Sequence, residues 1–147
     1  MDICISCDDS HINRHSRDIH KMDKYIMHEA LEIAKKSDMR SKHGCIIIDN
    51  KGNIISSACN KTINISSETC MKRNFDKGVK ISRHAEENAL RNVDQKKLYG
   101  ARLYVVRWGV VSSNPTFMNS KPCDRCTKII NSCMKKFGLK VAYYSSD

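Results

Sequence analysis

The sequence has 147 residues, which is enough for one domain with a buried core. An apolar fraction of 40% and a charged fraction of 29% are typical of a soluble globular protein, and no apolar stretch is long enough to span a membrane. The net charge of +10 predicts attraction to phosphate-bearing partners, either nucleotides or nucleic acid. A generally lysine-rich surface explains the same charge equally well.

The N-terminal segment MDICISCDDS is acidic and lacks the apolar core of a secretory signal. The eight cysteines therefore indicate a reducing compartment, and we expect a cytoplasmic protein in which metal ligation or burial is favoured over disulfides. Residues 1–21 are polar and poorly periodic, so we interpret them as an arm. Residues 22–147 are interpreted as a single catalytic domain without internal repeats.

Helical and extended patterns alternate along this domain. The apolar side chains of residues 22–36 recur at helical spacing, and two apolar runs around residues 50–53 predict a β-hairpin. Residues 61–81 are interpreted as a basic loop. The elements predicted after it are a helix at about 84–93, a buried strand at 101–108, a loop at 112–121, a helix at 123–137 closed by Gly138, and a strand at 141–144. This order predicts an α/β layered domain.

The segment SRHAEENAL places one histidine and two adjacent glutamates at the start of a predicted helix. At ~100° per residue, Glu86 falls within the apolar stripe of that helix, while Glu87 points ~100° away toward solvent. A carboxylate in an apolar stripe is costly unless it has a partner or a task. Glu86 is therefore the functional candidate, and Glu87 is interpreted as an ordinary surface charge.

The segment SKPCDRC begins the last predicted helix with two cysteines that can chelate one metal ion, and the helix dipole there favours thiolates. Helical spacing directs Cys123, Cys126 and Cys133 inward, and Cys133, about 10 Å beyond Cys126 along the axis, is interpreted as core. Alone, the Cys-x-x-Cys pair also fits a redox motif or two buried thiols, and His84 alone would be an exposed residue near a helix cap. His-x-Glu followed by Pro-Cys-x-x-Cys is the signature of zinc deaminases. It predicts His84, Cys123 and Cys126 as Zn²⁺ ligands with water in the fourth position, and Glu86 as proton shuttle.

These two motifs, with the hairpin HGCIIIDNKGNIISSACNK, resemble the cytidine/deoxycytidylate deaminase superfamily over about residues 25–144. The resemblance implies a three-layer α/β/α sandwich around a mixed sheet, with the family's last elements missing. It also implies that Asn60 contacts the sugar and that the Ala85 amide holds the base carbonyl. Lys121 departs from the family's usual residue, yet its backbone carbonyl is expected to serve. A sheet edge left open must be covered or paired, so we expect a homo-oligomer, as is common in the family.

The expected activity is zinc-dependent hydrolytic deamination of a cytosine nucleotide, with deoxycytidylate as substrate because HAEENA is most similar to that branch of the family. One alternative keeps the chemistry but acts on a base in RNA or single-stranded DNA, which net charge does not distinguish. Another is a binding or structural module whose zinc only holds the fold. The intact Glu86 argues against that alternative, since a structural site does not need it.

Three lesser features have both a functional and a plain interpretation. Trp108 could stack on a base, but packing at a strand end is favoured. Basic side chains before the first motif are either a phosphate contact or a solvated run: Lys72, Arg73, Lys77, Lys80 and Arg83. Two sets of thiols and imidazoles are candidates for a second zinc, although a polar arm and buried strand cysteines are favoured: Cys4, Cys7, His11 and His15, and His43, Cys45, Cys59 and Cys70.

Overall fold

The computed structural model describes residues 21–64 and 80–145. The elements in these ranges are α1 (Lys21–Lys35), β1 (Lys42–Ile48), β2 (Ile54–Cys59), β3 (Lys61–Asn64), β4 (Lys80–Arg83), α2 (Ala85–Arg91), a 3₁₀ turn (Gln95–Lys97), β5 (Arg102–Val111), β6 (Asn114–Met118), α3 (Asp124–Phe137) and β7 (Val141–Tyr144). None of the helices described is both long and apolar enough to cross a membrane.

Five strands form a mixed sheet around β5. β1 pairs antiparallel with β2 on one side and with β5 on the other, from Lys42 opposite Trp108 to Ile48 opposite Arg102. Two strands pair with the other edge of β5, one after the other. β7 runs parallel to residues 102–105, and β6 runs antiparallel to residues 107–111. β3 and β4 pair with each other in a separate two-stranded sheet.

The helices cover both faces of the five-stranded sheet. Alternate residues of a strand point to opposite faces, so Ile46 and Tyr104 pack beneath α1, while Cys45 and Val105 pack beneath α2 and α3. Each face therefore carries its own apolar cluster. The structure is the predicted three-layer α/β/α sandwich around a mixed sheet.

α1 approaches the sheet closely at Gly44. A Cβ atom there would lie 2.1 Å from the carbonyl oxygen of Ala30 and 2.7 Å from the amide nitrogen of Ala34. Both atoms belong to the helix backbone, which cannot rotate aside. Glycine therefore sets the distance between α1 and β1.

The predicted hairpin, last helix and last strand are confirmed, with element ends within a residue or two. Two segments interpreted as loops instead contain strands: β3 and β4 lie within 61–81, and β6 lies within 112–121. These strands are short, and β6 carries Pro115, which is tolerated on an edge strand. The backbone hydrogen bonds of these strands are satisfied by pairing. Their sequences show little alternation of apolar and polar residues, so the sequence pattern did not predict them.

Several of the predicted features lie outside the described residues. One is the arm proposed at 1–21, of which only Lys21, the first residue of α1, is described. The others are the side chains Cys4, Cys7, His11, His15, Cys70, Lys72, Arg73 and Lys77.

Candidate metal centre and active site

Three donor atoms converge where α2 and α3 begin. His84 Nδ1 lies 3.5 Å from Cys123 Sγ and 3.3 Å from Cys126 Sγ, and all three donors lie within 4.8 Å of one another. A tetrahedral ion with a Zn–N bond of about 2.0 Å and Zn–S bonds of about 2.3 Å needs N···S separations of about 3.5 Å. The donor set therefore fits zinc with little rearrangement. Across residues 21–64 and 80–145, no other group of three or more such side chains is arranged to hold a metal ion.

Local structure at the two helix starts places these donors. His84 is the extended N-cap residue between β4 and α2. Cys123 is the N-cap of α3, and its Sγ accepts a hydrogen bond of 3.5 Å from the Cys126 amide. Such amides, together with the positive end of the helix dipole, stabilise a thiolate.

The prediction that Cys123 faces inward is wrong, since it is exposed, whereas Cys126 is buried. An N-cap residue has extended backbone angles, so helical periodicity does not govern the direction of its side chain. Exposure of Cys123 makes the donor set accessible from solvent. Cys133 is half-buried and packs against the core beneath α2 and α3, as predicted.

The carboxyl group of Glu86 lies beside this donor set and is 5% exposed. Burial raises the pKa of Glu86, and a backbone hydrogen bond, a hydrogen bond with Cys126 and the nearby His84 offset part of that rise. The pKa of the Cys126 thiol is also raised, first by burial and then by the charges of Glu86 and Cys123. A metal cation reverses this effect, because a coordinating thiol is deprotonated. The chemistry of the site thus suits a cation.

Glu87 is not the solvent-facing charge that the helical pattern predicted. Its side chain is 15% exposed, and its Oε1 accepts a hydrogen bond of 3.0 Å from Arg125 Nη2. The wheel considers only α2 itself, whereas α3 lies next to it and supplies Arg125. This ion pair links the starts of the two helices beside the metal donors.

The three residues predicted to contact the substrate are Asn60, Ala85 and Lys121. Asn60 is buried, with Oδ1 accepting a hydrogen bond of 2.9 Å from the His43 amide and Nδ2 donating one of 2.6 Å to the Ser41 carbonyl. Its amide keeps one further donor and one further acceptor position. Ala85 is fully buried as the first residue of α2, and Lys121 is exposed two residues before Cys123.

Two polar contacts that the sequence did not predict hold α2 against β2. Asn88 Nδ2 donates a hydrogen bond of 2.9 Å to the Cys59 carbonyl, and Ser56 Oγ donates one of 2.7 Å to the Ala89 carbonyl. Together they bring the His84 end of α2 to the end of β2. The motif HAEENAL contains Asn88, but nothing in its local spacing identifies a partner 29 residues away.

Ser120 anchors the segment that leads into α3. Its hydroxyl donates a hydrogen bond of 2.8 Å to the Val105 carbonyl and accepts one of 2.8 Å from the Ser145 amide. Its own amide donates to the Ser145 carbonyl at 2.9 Å. The approach to Cys123 is thereby fixed to the middle of β5 and to the residue that follows β7. A serine in a loop carries no pattern that predicts this role.

The alternative interpretations of the lesser features also have outcomes. Cys45 and Cys59 are buried strand residues, as favoured, and among the residues described they join no metal-binding group. Trp108 packs against the α1 side of the sheet, the face opposite the metal donors, which supports packing over base stacking. Its Nε1 is buried without a hydrogen-bond partner in the described part of the chain.

One protein family matches most of the chain, including the residues of this site. The family described as "Cytidine and deoxycytidylate deaminase zinc-binding region" matches residues 20–140. No curated protein matches the sequence. Among solved structures, RibD from Acinetobacter baumannii is similar in form 1 (25% identity, 58% of this chain, 20% of that chain, TM-score 0.38) and in form 2 (22%, 65%, 23% and 0.38).

The chain spans about a fifth of those RibD chains, with matches of 20% and 23% of their length. The family match covers most of the chain and includes both helix starts. Zinc is the cofactor of this region, and His84, Cys123 and Cys126 form the site that can hold it. The chain belongs to the family of cytidine and deoxycytidylate deaminase zinc-binding regions.

Proposed function

We propose that the chain catalyses the hydrolytic deamination of a cytosine nucleotide, converting deoxycytidylate and water to deoxyuridylate and ammonia. The observation that carries the proposal is the buried Glu86 carboxyl beside a set of three metal donors. Structural zinc sites are usually closed by four protein ligands, whereas catalytic sites have three and keep a position open. The described residues supply three donors and a buried acid beside them, which supports a catalytic rather than a structural site.

The roles of the residues follow from this arrangement. When bound by His84, Cys123 and Cys126, zinc would supply a Lewis acid that lowers the pKa of a water molecule to about 7. Glu86 would accept a proton from a water molecule and deliver it to the ring nitrogen of the base. It would then carry the remaining proton of the added hydroxyl group to the amino group, so that the C–N bond breaks and ammonia leaves as the new carbonyl forms. Burial raises the pKa of Glu86, which brings it toward the range in which it can both accept and release a proton.

Three further residues are proposed to orient the substrate. Asn60 is assigned to the sugar, with the free donor and acceptor positions of its immobilised amide. The Ala85 amide at the start of α2 is assigned to the carbonyl of the base. The Lys121 backbone carbonyl is assigned to the amino group that leaves.

The test is a panel of cytosine, adenine and guanine compounds, free and within oligonucleotides, incubated with zinc-loaded protein and scored by mass spectrometry for deamination. Deoxycytidylate should be converted fastest. Faster conversion of oligonucleotides, with binding that falls steeply as salt rises, would support the nucleic-acid alternative. Inactivity on every compound, with zinc bound and the fold intact, would support the binding-module alternative.

Glu86→Gln is the decisive variant because it preserves the size of the side chain and removes its acid–base chemistry. We expect turnover to fall by about 10²–10⁴-fold while zinc content and the circular dichroism spectrum are unchanged. Glu87→Gln is the matched control and should stay within about tenfold of wild type, because its ion pair is partly exposed to solvent. Equal losses in the two variants would contradict the assignment.

Homo-oligomerisation is also a proposal, which light scattering over a wide concentration range tests. A monomer at every concentration would exclude it.

A further inference from the structure

A pair of basic side chains lies on the sheet next to the metal centre. His43 on β1 and Arg107 on β5 are directly opposite each other in the antiparallel pairing. Such residues share a face of the sheet, with Cβ atoms about 4.5–5.5 Å apart. Both side chains are half-buried.

The face that they share is the one beneath α2 and α3. Cys45 and Val105, two residues from His43 and Arg107 along their strands, belong to the core on that face. Successive side chains on one face of a strand are about 7 Å apart, so His43 and Arg107 lie about 7 Å along the sheet from Cys45 and Val105. The Cys45 thiol is close enough to Glu86 and Cys126 for their charges to raise its pKa, after the larger effect of burial.

His43 is also close to His84. Burial lowers the pKa of His43, and the charges of Arg107 and then His84 lower it further. Two basic side chains, Arg107 and His43, therefore meet at this end of the sheet. Such an arrangement favours an anion between them.

Arg107 differs from two other arginines near the sandwich core and the metal centre. Arg102 is paired with Asp23 and Arg125 with Glu87, whereas no carboxylate in residues 21–64 and 80–145 lies within ion-pair distance of Arg107. Burying part of a guanidinium without a counter-charge is unfavourable. Its planar set of donors matches the oxygens of a phosphate.

We propose that Arg107, assisted by His43, binds the phosphate of a free mononucleotide whose base occupies the metal centre. This inference rests on the proposed function and adds the residues that would distinguish a nucleotide from a nucleoside. At Arg107 the strand β5 is flanked by β1 on one side and β6 on the other. The phosphate is therefore received on the face of the sheet beside the helix starts and not along an exposed edge, which suits a terminal phosphate better than a continuing strand of nucleic acid.

Binding measurements test the inference without requiring turnover. In zinc-loaded Glu86→Gln protein, calorimetry should show tighter binding of deoxycytidylate than of deoxycytidine. Adding Arg107→Gln should weaken deoxycytidylate binding about tenfold to hundredfold, the usual loss for a charged hydrogen-bond partner, and leave deoxycytidine unchanged. Arg107→Lys should restore part of the difference, because the charge remains while the two-point contact is lost.

Arg91→Gln is the matched control: it removes the same charge from an exposed residue at the far end of α2 and should change neither affinity. Equal weakening of both ligands by Arg107→Gln, or no weakening of either, would overturn the inference. So would an oligonucleotide that binds more tightly than deoxycytidylate and depends more on Arg107. If wild-type protein binds deoxycytidylate through Arg107 and deaminates no compound, the proposed function fails and the phosphate contact stands.

Discussion

Replacing Gly44 with alanine tests how tightly α1 is seated on the sheet. The new Cβ would stand 2.1 Å from the Ala30 carbonyl oxygen and 2.7 Å from the Ala34 nitrogen, whereas real Cβ contacts below 3.0 Å essentially never occur. Neither backbone atom can rotate aside. The helix must therefore move away from β1 by about 0.9 Å, the difference between 3.0 and 2.1 Å.

The cost follows from what α1 buries. Its inward side chains are at most 7% exposed: Ile26, Met27, Ala30, Leu31 and Ala34. A gap of about 0.5–1 Å forfeits a quarter to a half of the attraction in each affected contact. Overpacking costs about 1–3 kcal/mol in general, and we expect about 3 kcal/mol because the obstructing atoms are backbone. For a chain of this size, that lowers Tm by about 6–12 °C.

Thermal unfolding of zinc-loaded protein, followed by circular dichroism, measures the effect. Gly109→Ala is the matched control, since its Cβ would meet Met118 Cγ at 2.4 Å and Sδ at 2.9 Å, both in a flexible side chain. We expect Gly109→Ala to cost about 1 kcal/mol or less. If the two variants have the same Tm, the argument from a rigid helix backbone is refuted.

Two further predictions concern the helix starts. Cys126→Ser should lose bound zinc, which atomic emission measures, and with it the stabilisation of about 2.7 kcal/mol that zinc at 100 Kd provides. Cys133→Ser should keep both the zinc and the stability. A wild-type protein that binds no zinc would contradict the site. Glu87→Gln and Arg125→Gln should each lower the free energy of unfolding by less than about 1 kcal/mol. The double variant should lose no more than the larger of the two single losses. Additive losses would show that the ion pair contributes nothing.

The chemistry of the metal centre could be predicted because its residues follow local rules. His84, Cys123 and Cys126 stand at spacings that only a few kinds of site require, and the helical pattern separated the buried Glu86 from its neighbour. The same pattern was wrong for Glu87, because one helix contains no information about the helix that packs beside it. The family and the α/β/α layers followed from these motifs and from the order of the elements.

The features that were missed depend on contacts between distant parts of the chain. β6 is defined by its pairing with β5, and a wheel or an alternation count does not detect pairing. The pair of His43 and Arg107 exists only through the register of β1 on β5. Gly44 was part of the quoted hairpin, but its need to be glycine comes from a helix that begins 23 residues earlier, at Lys21.

The segment from Ser112 to Cys123 both joins β5 to β6 and leads into the first cysteine ligand, and the hydrogen bonds of Ser120 lie between these two parts. Because Ser120 is tied to Val105 and Ser145, the position of Cys123 is set by the sheet and not by the turn at Ser112 and Ser113 that joins β5 to β6. We therefore expect a change at the turn between β5 and β6 to leave the position of Cys123 unaltered. That turn is the place to insert a peptide tag or a fluorescent label, or to graft a longer arm, without disturbing the metal.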